Sequence, residues 1–301
     1  MPERDRGGDS LLEKITKIRR DQPDKIADAL RGRRRRALLS SQGTIFLVAA
    51  DHPARGVLKA GADSVAMADR GELLRRLQTA LGRPGVDGVM ATPDVVEDLA
   101  LLGALDGKVV FGSMNRGGLG GSVFELDDRM TAYDAESIRA SGLDGGKLMV
   151  RVADDDVSSL DTMVAAAGAI NALAEHSLVA MVEVFASRRD GAKAVNLDDA
   201  DSLIRAVAVV QGLGHTSAYT WLKLPVVDDL ERLLRSTSLP VVLLGGDPGS
   251  DADRTYRRWE KAMAWPQVIG LVAGRAILYP PDGNVERAVD EAAAIISGVP
   301  G

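Results

Sequence analysis

Residues 45–53 read Ile45-Phe46-Leu47-Val48-Ala49-Ala50-Asp51-His52-Pro53. Six consecutive apolar residues without polar alternation describe a strand buried on both faces, as in a parallel sheet. The run stops at Asp51, His52 and Pro53, with no G-x-G-x-x-G turn of the kind that opens a dinucleotide-binding doubly wound sheet. Comparable runs follow at Gly88–Ala91, Lys108–Ser113, Lys147–Val152, Leu178–Val184, Ala218–Leu224, Val241–Leu244 and Val268–Ala273. Helical periodicity fills the intervals, at Ala68–Leu81, Pro93–Leu102, Ala135–Ser141, Ser158–Ala174, Leu197–Gln211, Asp228–Ser236, Asp251–Ala264 and Val285–Ile296. Eight strand–helix units predict an α/β protein, a single (β/α)8 TIM barrel over residues 44–301. An open sheet would use fewer strands. No Pro/Ser-rich linker divides the chain.

Residues 1–43 predict a short N-terminal helical extension. Ser10 and Glu13 read as a capping box ahead of Leu11, Leu12, Ile15 and Ile18. A second helix is predicted from Pro23 to about Leu30. The chain is net +5 through Arg36 and net −11 beyond it. Arg31 and Arg33 to Arg36 read either as a nucleic-acid or phosphate contact or as the solvated end of a helix. No aromatic interleaving follows, which favours the helix end.

Composition narrows the chemistry. The chain of 301 residues is 46% hydrophobic, has 3 His and no Cys, and carries a net charge of −6. Absent cysteine excludes disulfides, thiolate metal sites and cysteine nucleophiles. Histidine is too sparse, and wrongly spaced, for a zinc cluster. Aromatic residues at 4% do not suit base stacking, so no nucleic-acid partner is expected. No run approaches the roughly 18 apolar residues of a membrane span, and Met1–Ser10 lacks an apolar signal core. A cytoplasmic protein without a membrane partner is expected.

In barrels of this kind reactive groups sit at the C-terminal ends of the strands. The first run ends at Asp51, with His52 and Arg55 beyond it. The fourth carries Lys147, Met149 and Arg151 on one face. The fifth carries Glu183, and the sixth Lys223 among Trp221, Leu222, Leu224 and Pro225. Charges inside parallel strands are costly unless paired or functional. Burial and a second cation favour the neutral form of an amine, the form that attacks a carbonyl to give a Schiff base. Lys147 is a candidate second cation and Glu183 a candidate proton shuttle. A structural Lys–Glu pair is the plain alternative. Gly245 and Gly246 follow the seventh run, and Gly274 and Arg275 the eighth. That is where this architecture binds phosphate.

These segments together resemble the class I aldolases of the tagatose-bisphosphate and related DhnA/deoxyribose-phosphate aldolase superfamily. Ala49 to Lys59 is similar to that group's first-strand segment, an Asp followed by Arg-Gly-Ala-Leu-Lys, but His52-Pro53 and an extra residue alter it. Lys147-Leu148-Met149-Val150, Val182-Glu183-Val184, Trp221 to Val226, and Ala273 to Ala276 resemble its lysine, glutamate, Schiff-base and phosphate-arginine segments. The likeness runs from about Thr44 to Ile296. It implies Lys223 as the Schiff-base residue, with Glu183, Lys147 and Asp51 as acid/base and electrostatic groups. Arg275 is the implied phosphate ligand, and Gly274, Gly246, Gly245, His52 and Arg55 are the remaining substrate-binding candidates. The implied reaction cleaves a phosphorylated ketose-like sugar, such as a ketose bisphosphate or the deoxy-keto-gluconate phosphate of myo-inositol catabolism. The products are a dihydroxyacetone-phosphate-type fragment and an aldehyde, and neither cofactor nor metal is needed. A homo-oligomer is expected. The tyrosine of fructose-bisphosphate relatives is missing from the fifth segment.

Two other readings stay open, a metal-dependent lyase using Asp51, Glu183 and the Asp154-Asp155-Asp156 run, and a non-catalytic sugar-phosphate-binding regulator. The aspartate run equally reads as a helix cap. The glycine-rich stretch Gly112–Gly121 reads as a mobile lid or a plain connector.

Overall fold

Apolar runs flanked by charged helices have one stable arrangement, with strands hydrogen-bonded side by side and helices covering the outside. The computed structural model describes residues 6–191, 193–246 and 252–298. Its strands are β1 (Ile45–Ala50), β2 (Gly88–Ala91), β3 (Val109–Ser113), β4 (Gly145–Val152), β5 (Val179–Asp190), β6 (Lys193–Leu197), β7 (Thr220–Leu224), β8 (Val241–Leu244) and β9 (Val268–Ala273). The order β4-β3-β2-β1-β9-β8-β7-β5 closes through a β4–β5 pairing into an eight-stranded parallel barrel. Ile45, Leu47 and Ala49 point inward onto Met90, Phe111, Met181, Trp221 and Val272. Phe46, Val48 and Ala50 point outward under the helices. Both faces are dry, which is why the runs do not alternate.

β6 was not among the expected strands. It pairs antiparallel with an extension of β5, so the two form a hairpin arm outside the ring. Apolar content ends near Phe185, so pattern alone stops the strand there. The signal for the arm is the Asp190-Gly191 dipeptide, with Gly191 at φ 60°.

The outer helices are α3 (Arg70–Gly82), α4 (Pro93–Leu101), α5 (Ala135–Ala140), α6 (Ser158–Glu175), α7 (Ala200–Val210), α8 (Leu230–Leu234), α9 (Ala252–Met263), α10 (Arg275–Leu278) and α11 (Val285–Ser297). Side-chain caps fix several starts: Asp69 accepts from Glu72 N–H, Asp199 from Ser202 N–H, and Asn284 from Arg287 N–H. The expected start of α9 at Asp251 lies outside the described residues.

Ahead of β1, α1 (Arg6–Asp21) and α2 (Asp24–Gly32) lie against α3 and α4. The helix α1 runs through Ser10, so the expected capping box there does not form. A cap contributes only about 1 kcal/mol, and the packing of Ile15 against the core outweighs it. Arg19 of α1 bridges Glu97 and Asp98 of α4, and Arg70 of α3 shares Asp98.

Of the arginine cluster, Arg31 lies exposed in the last turn of α2, paired with Asp28, as the helix-end reading expects, whereas Arg33 to Arg36 beyond the helix do something else. These four clamp the extension to the N-terminal face of the barrel. Arg33, almost fully buried, donates to the carbonyls of Lys108 and Gly142, and Arg35 pairs with Asp144 at 2.8 Å. Arg34 pairs with Asp106 and Arg36 with Asp87. These acids stand at or just before the starts of β2, β3 and β4. Asp144 also accepts Val110 N–H at 2.8 Å, so its loss strands a buried guanidinium and a strand N–H together. Asp144→Ala is expected to lower stability in urea denaturation by about 3 kcal/mol, whereas Asp106→Ala, at an exposed pair, leaves the midpoint nearly unchanged. Equal effects would contradict a clamp centred on Asp144.

Candidate active site

Strand register carries the charged residues to one level at the C-terminal mouth. Glu183 on β5 is the register partner of Lys223 on β7 and of Met149 on β4. Lys147, one inward position below Met149, extends its stem upward. Lys223 Nζ lies 2.5 Å from Glu183 Oε1. Lys147 Nζ hydrogen-bonds Glu183 Oε2 on one side and Asp51 Oδ2, at 3.1 Å, on the other. The result is an unbroken chain of alternating charge, Asp51–Lys147–Glu183–Lys223, buried throughout.

The two lysines differ in one respect. Lys147 is fully enclosed and held between two carboxylates, whereas Lys223 lines the floor of a cavity of ≈ 270 Å³. The same cavity is lined by Asp51, His52, Arg55, Glu183, Gly245, Gly246, Gly274 and Arg275. The structure therefore brings nine of the ten expected site residues to one cavity, with Lys147 beneath it.

Electrostatics follow from the packing. Burial alone would raise the Asp51 pKa, but Arg116 and Lys147 hold it well below the ordinary carboxylate range. Burial likewise opposes ionisation of Glu183, and the two lysines outweigh it. Burial pulls the Lys147 amine below the usual lysine value against the attraction of Asp51 and Glu183. His52 is held neutral, its pKa pushed down to about 3 by burial and by the nearby cations Arg275, Arg116 and Lys223, against the pull of Asp51.

Arg116 was not among the expected site residues. It comes from the glycine-rich stretch after β3, which folds inward: Arg116 pairs with Asp51 at 2.8 Å and donates through Nε to the Asp51 carbonyl. Asn115 donates to the carbonyls of Asp128 and Met149 and accepts Met149 N–H, so it seals the loop to β4. These buried bonds make the start of the stretch part of the floor. A charged residue beside four glycines in 117–121 was the available signal, but nothing local says which strand it meets.

Gly274 is required by close approach. A Cβ there would lie 2.6 Å from the Ala49 carbonyl and 2.7 Å from His52 Cε1. Gly246 adopts φ 70°, a conformation open to glycine. Both line the cavity beside Arg275, whose Nη1 also reaches the Lys59 carbonyl. The aspartate run faces elsewhere. Asp154 pairs with Arg205, Asp155 accepts Arg189 N–H, and Asp156 caps Ser158 N–H and pairs with Arg189. Among the described residues no three His, Cys, Asp or Glu side chains gather as metal ligands.

The Cgl0159-like family model matches residues 43–293. The chain belongs to the Cgl0159-like family. The crystal structure of Cgl0159 from Corynebacterium glutamicum (Brevibacterium flavum) is 47% identical, covers 96% of this chain and 97% of that one, and superposes with a TM-score of 0.93. A Schiff-base-forming fructose-1,6-bisphosphate aldolase is similar at 16% identity, over 90% of this chain and 99% of that one, with a TM-score of 0.66. An archaeal fructose-1,6-bisphosphate aldolase, whose catalytic lysine is covalently bound to the carbinolamine intermediate, is similar at 17% identity over 92% and 100%, with a TM-score of 0.65. At such identity the likeness establishes the shared barrel. No curated protein sequence matches this Cgl0159-like chain. No helix among the described residues is long and apolar enough to cross a membrane.

The neutral His52 has a thermodynamic consequence. With a folded pKa of about 3, it binds no proton near pH 6 or 5, while the unfolded chain does so below about 6.5. Folding stability is therefore lost as pH falls below the unfolded value. Between about pH 6 and 5, His52→Gln is expected to flatten the fall in urea-measured stability by about 1 kcal/mol per pH unit. Parallel pH profiles for the two proteins would contradict a buried neutral His52.

Proposed function

We propose that this Cgl0159-like protein is a class I aldolase acting on a phosphorylated ketose-like sugar through a Schiff base on Lys223. The observation that carries the reading is the asymmetry of the two lysines: of two amines sharing one carboxylate, only Lys223 opens to the cavity. The lining of that cavity, with the buried Lys147 and Asp128 behind it, holds two more cations than carboxylates. That surplus suits an anionic substrate. The barrel shared with Schiff-base aldolases is consistent with this chemistry.

The mechanism follows from the placement of groups. Glu183 accepts a proton from Lys223 and frees its lone pair. Nζ adds to the keto carbon, the carbinolamine hydroxyl leaves as water with a proton returned from Glu183, and a protonated imine remains. The imine is an electron sink. Glu183, directly or through a water, takes the proton from the hydroxyl two carbons beyond the imine carbon. The carbon–carbon bond next to that hydroxyl breaks, its electron pair forms an enamine, and an aldehyde departs. The enamine carbon is reprotonated, and water hydrolyses the imine to release a dihydroxyacetone-phosphate-type product. Lys147, pinned by Asp51, keeps Glu183 charged and aimed. Arg116 in turn fixes Asp51. Arg275 and the backbone of Gly245, Gly246 and Gly274 bind the phosphate, with a planar guanidinium fork suited to it. His52 and Arg55 line the path between.

Reduction with borohydride in the presence of dihydroxyacetone phosphate, followed by peptide mass mapping, is expected to place the adduct on Lys223. Lys223→Arg should abolish both adduct and cleavage. Lys147→Met should lower kcat by about 100-fold or more, by removing the group that orients the acid/base. An adduct on Lys147, or ketose phosphate binding without trapping or cleavage in the wild type, would overturn the assignment.

A further inference from the structure

The outer helices of a barrel face the strands on one side and water on the other, and their sequences divide accordingly. α9 obeys this rule, with six charged residues in twelve. α6 does not. Its eighteen residues hold two charges, Asp161 and Glu175, and apolar or small residues run around the whole helix. A helix that is apolar on every side is normally covered on every side.

Within the chain, α6 is covered on one side only. Thr162, Ala166, Ala169, Ile170 and Leu173 are buried, and the helix packs on β4 and β5. Along its outer side Val157, Leu160 and Val164 are 90, 63 and 66% exposed. Four positions beyond Val164 the same stripe reaches Gly168, also exposed, where a Cβ would meet no atom within 4 Å. Glycine weakens a helix interior more than any residue but proline, and no close approach among the described residues requires it here. Val123 and Phe124 extend the patch beside the start of α6. Arg189 donates to the Val123 carbonyl and pairs with Asp156, and Asp128 N–H donates to Thr162 Oγ1. Five of the eight large apolar side chains exposed among the described residues thus gather on one side of the barrel. Such a gathering marks an interaction surface, where scattered single residues do not.

The spacing selects the occupant. Leu160, Val164 and Gly168 repeat every four residues. A twofold axis through Val164, perpendicular to α6, lays a second α6 across the first in the antiparallel sense and brings each Leu160 opposite the partner's Gly168. A large side chain then enters the gap left by a missing one, twice over, which is the self-complementary match of a symmetric dimer. Glycine also lets the helix axes approach to about 8 Å. Charge agrees with this sense. Asp161 and its copy are offset by about 9 Å along the helices in addition to the gap between them, beyond the screening length of about 8 Å. Each also lies in the field of its own Arg129. A parallel pairing would set Asp161 against itself.

We propose that the outer face of α6, flanked by Val123 and Phe124, is the contact surface of a twofold-symmetric dimer of this chain. The contact covers the outer side of the stretch whose Gly120 and Glu125 line the active-site cavity. It does not depend on the Schiff-base reading.

Sedimentation of the full chain at micromolar concentration is expected to give a dimer or a multiple of one. Leu160→Glu and Gly168→Leu are each expected to halve the sedimenting mass, or to raise the dimer dissociation constant about tenfold or more, with an unchanged circular dichroism spectrum. Gly168→Leu discriminates best, because leucine is the better helix former and a glycine that served only the single chain would leave the mass as it was. The chain has no cysteine, so oxidation of introduced thiols reads the register. A disulfide needs Cα atoms within about 7 Å. Val164→Cys is expected to give a covalent dimer by itself. Leu160→Cys and Gly168→Cys are each expected to stay unlinked alone and to join when mixed. Val65→Cys, exposed in the stretch after β1, is the control for random collision. A monomeric wild type, a mass that neither substitution changes, linkage of Val164→Cys no faster than of Val65→Cys, or no joining in the mixture would overturn the proposal.

Discussion

One carboxylate held between two ammonium groups organises the mouth of this barrel. Glu183 takes Lys223 on one oxygen and Lys147 on the other. Removing three such charges from water is expensive, and only tight mutual pairing makes it tolerable. Each partner therefore dictates the next. Lys147 needs Asp51, Asp51 is oriented by Arg116, and Arg116 fixes the stretch after β3 against the strand ends. A break at any link leaves a buried charge uncompensated. The chain ends at Lys223, where the protein opens to the cavity. Function in this reading is the unfinished end of a structural network.

The rest of the molecule keeps that network in register. A one-residue slip between β5 and β7 would turn Glu183 out of the barrel. Burial of both faces of β7 and of the ring part of β5 opposes the slip. At the opposite face, arginines of the extension tie the starts of β2, β3 and β4, so stability is concentrated at one end and chemistry at the other. The same division leaves the mouth free to carry positions only glycine suits, Gly246 in a left-handed conformation and Gly274 at a close approach.

Much of this was legible in the sequence because it is local. Buried parallel strands read as continuous apolar runs, and Lys147, Glu183 and Lys223 stand out as charges inside them. What was hidden depends on contacts distant in sequence. Arg116 reaches Asp51 from 65 residues away, and its surroundings look like any glycine-rich connector. The role of Arg33 to Arg36 was hidden because their acidic partners lie 51 to 111 residues further on. The β5–β6 arm was missed because its residues face the cavity rim and lose the apolar pattern. Ser10 misled because a local capping signal is weak beside tertiary packing.

The account turns on which amine is open to the ligand. A crystal structure of the protein soaked with dihydroxyacetone phosphate addresses that directly. The expected electron density is continuous from Lys223 Nζ to the former carbonyl carbon, with the phosphate against Arg275 and Lys147 still bridging Asp51 and Glu183. Continuous density to Lys147, or the phosphate bound away from Arg275 with Lys223 unmodified, would contradict it.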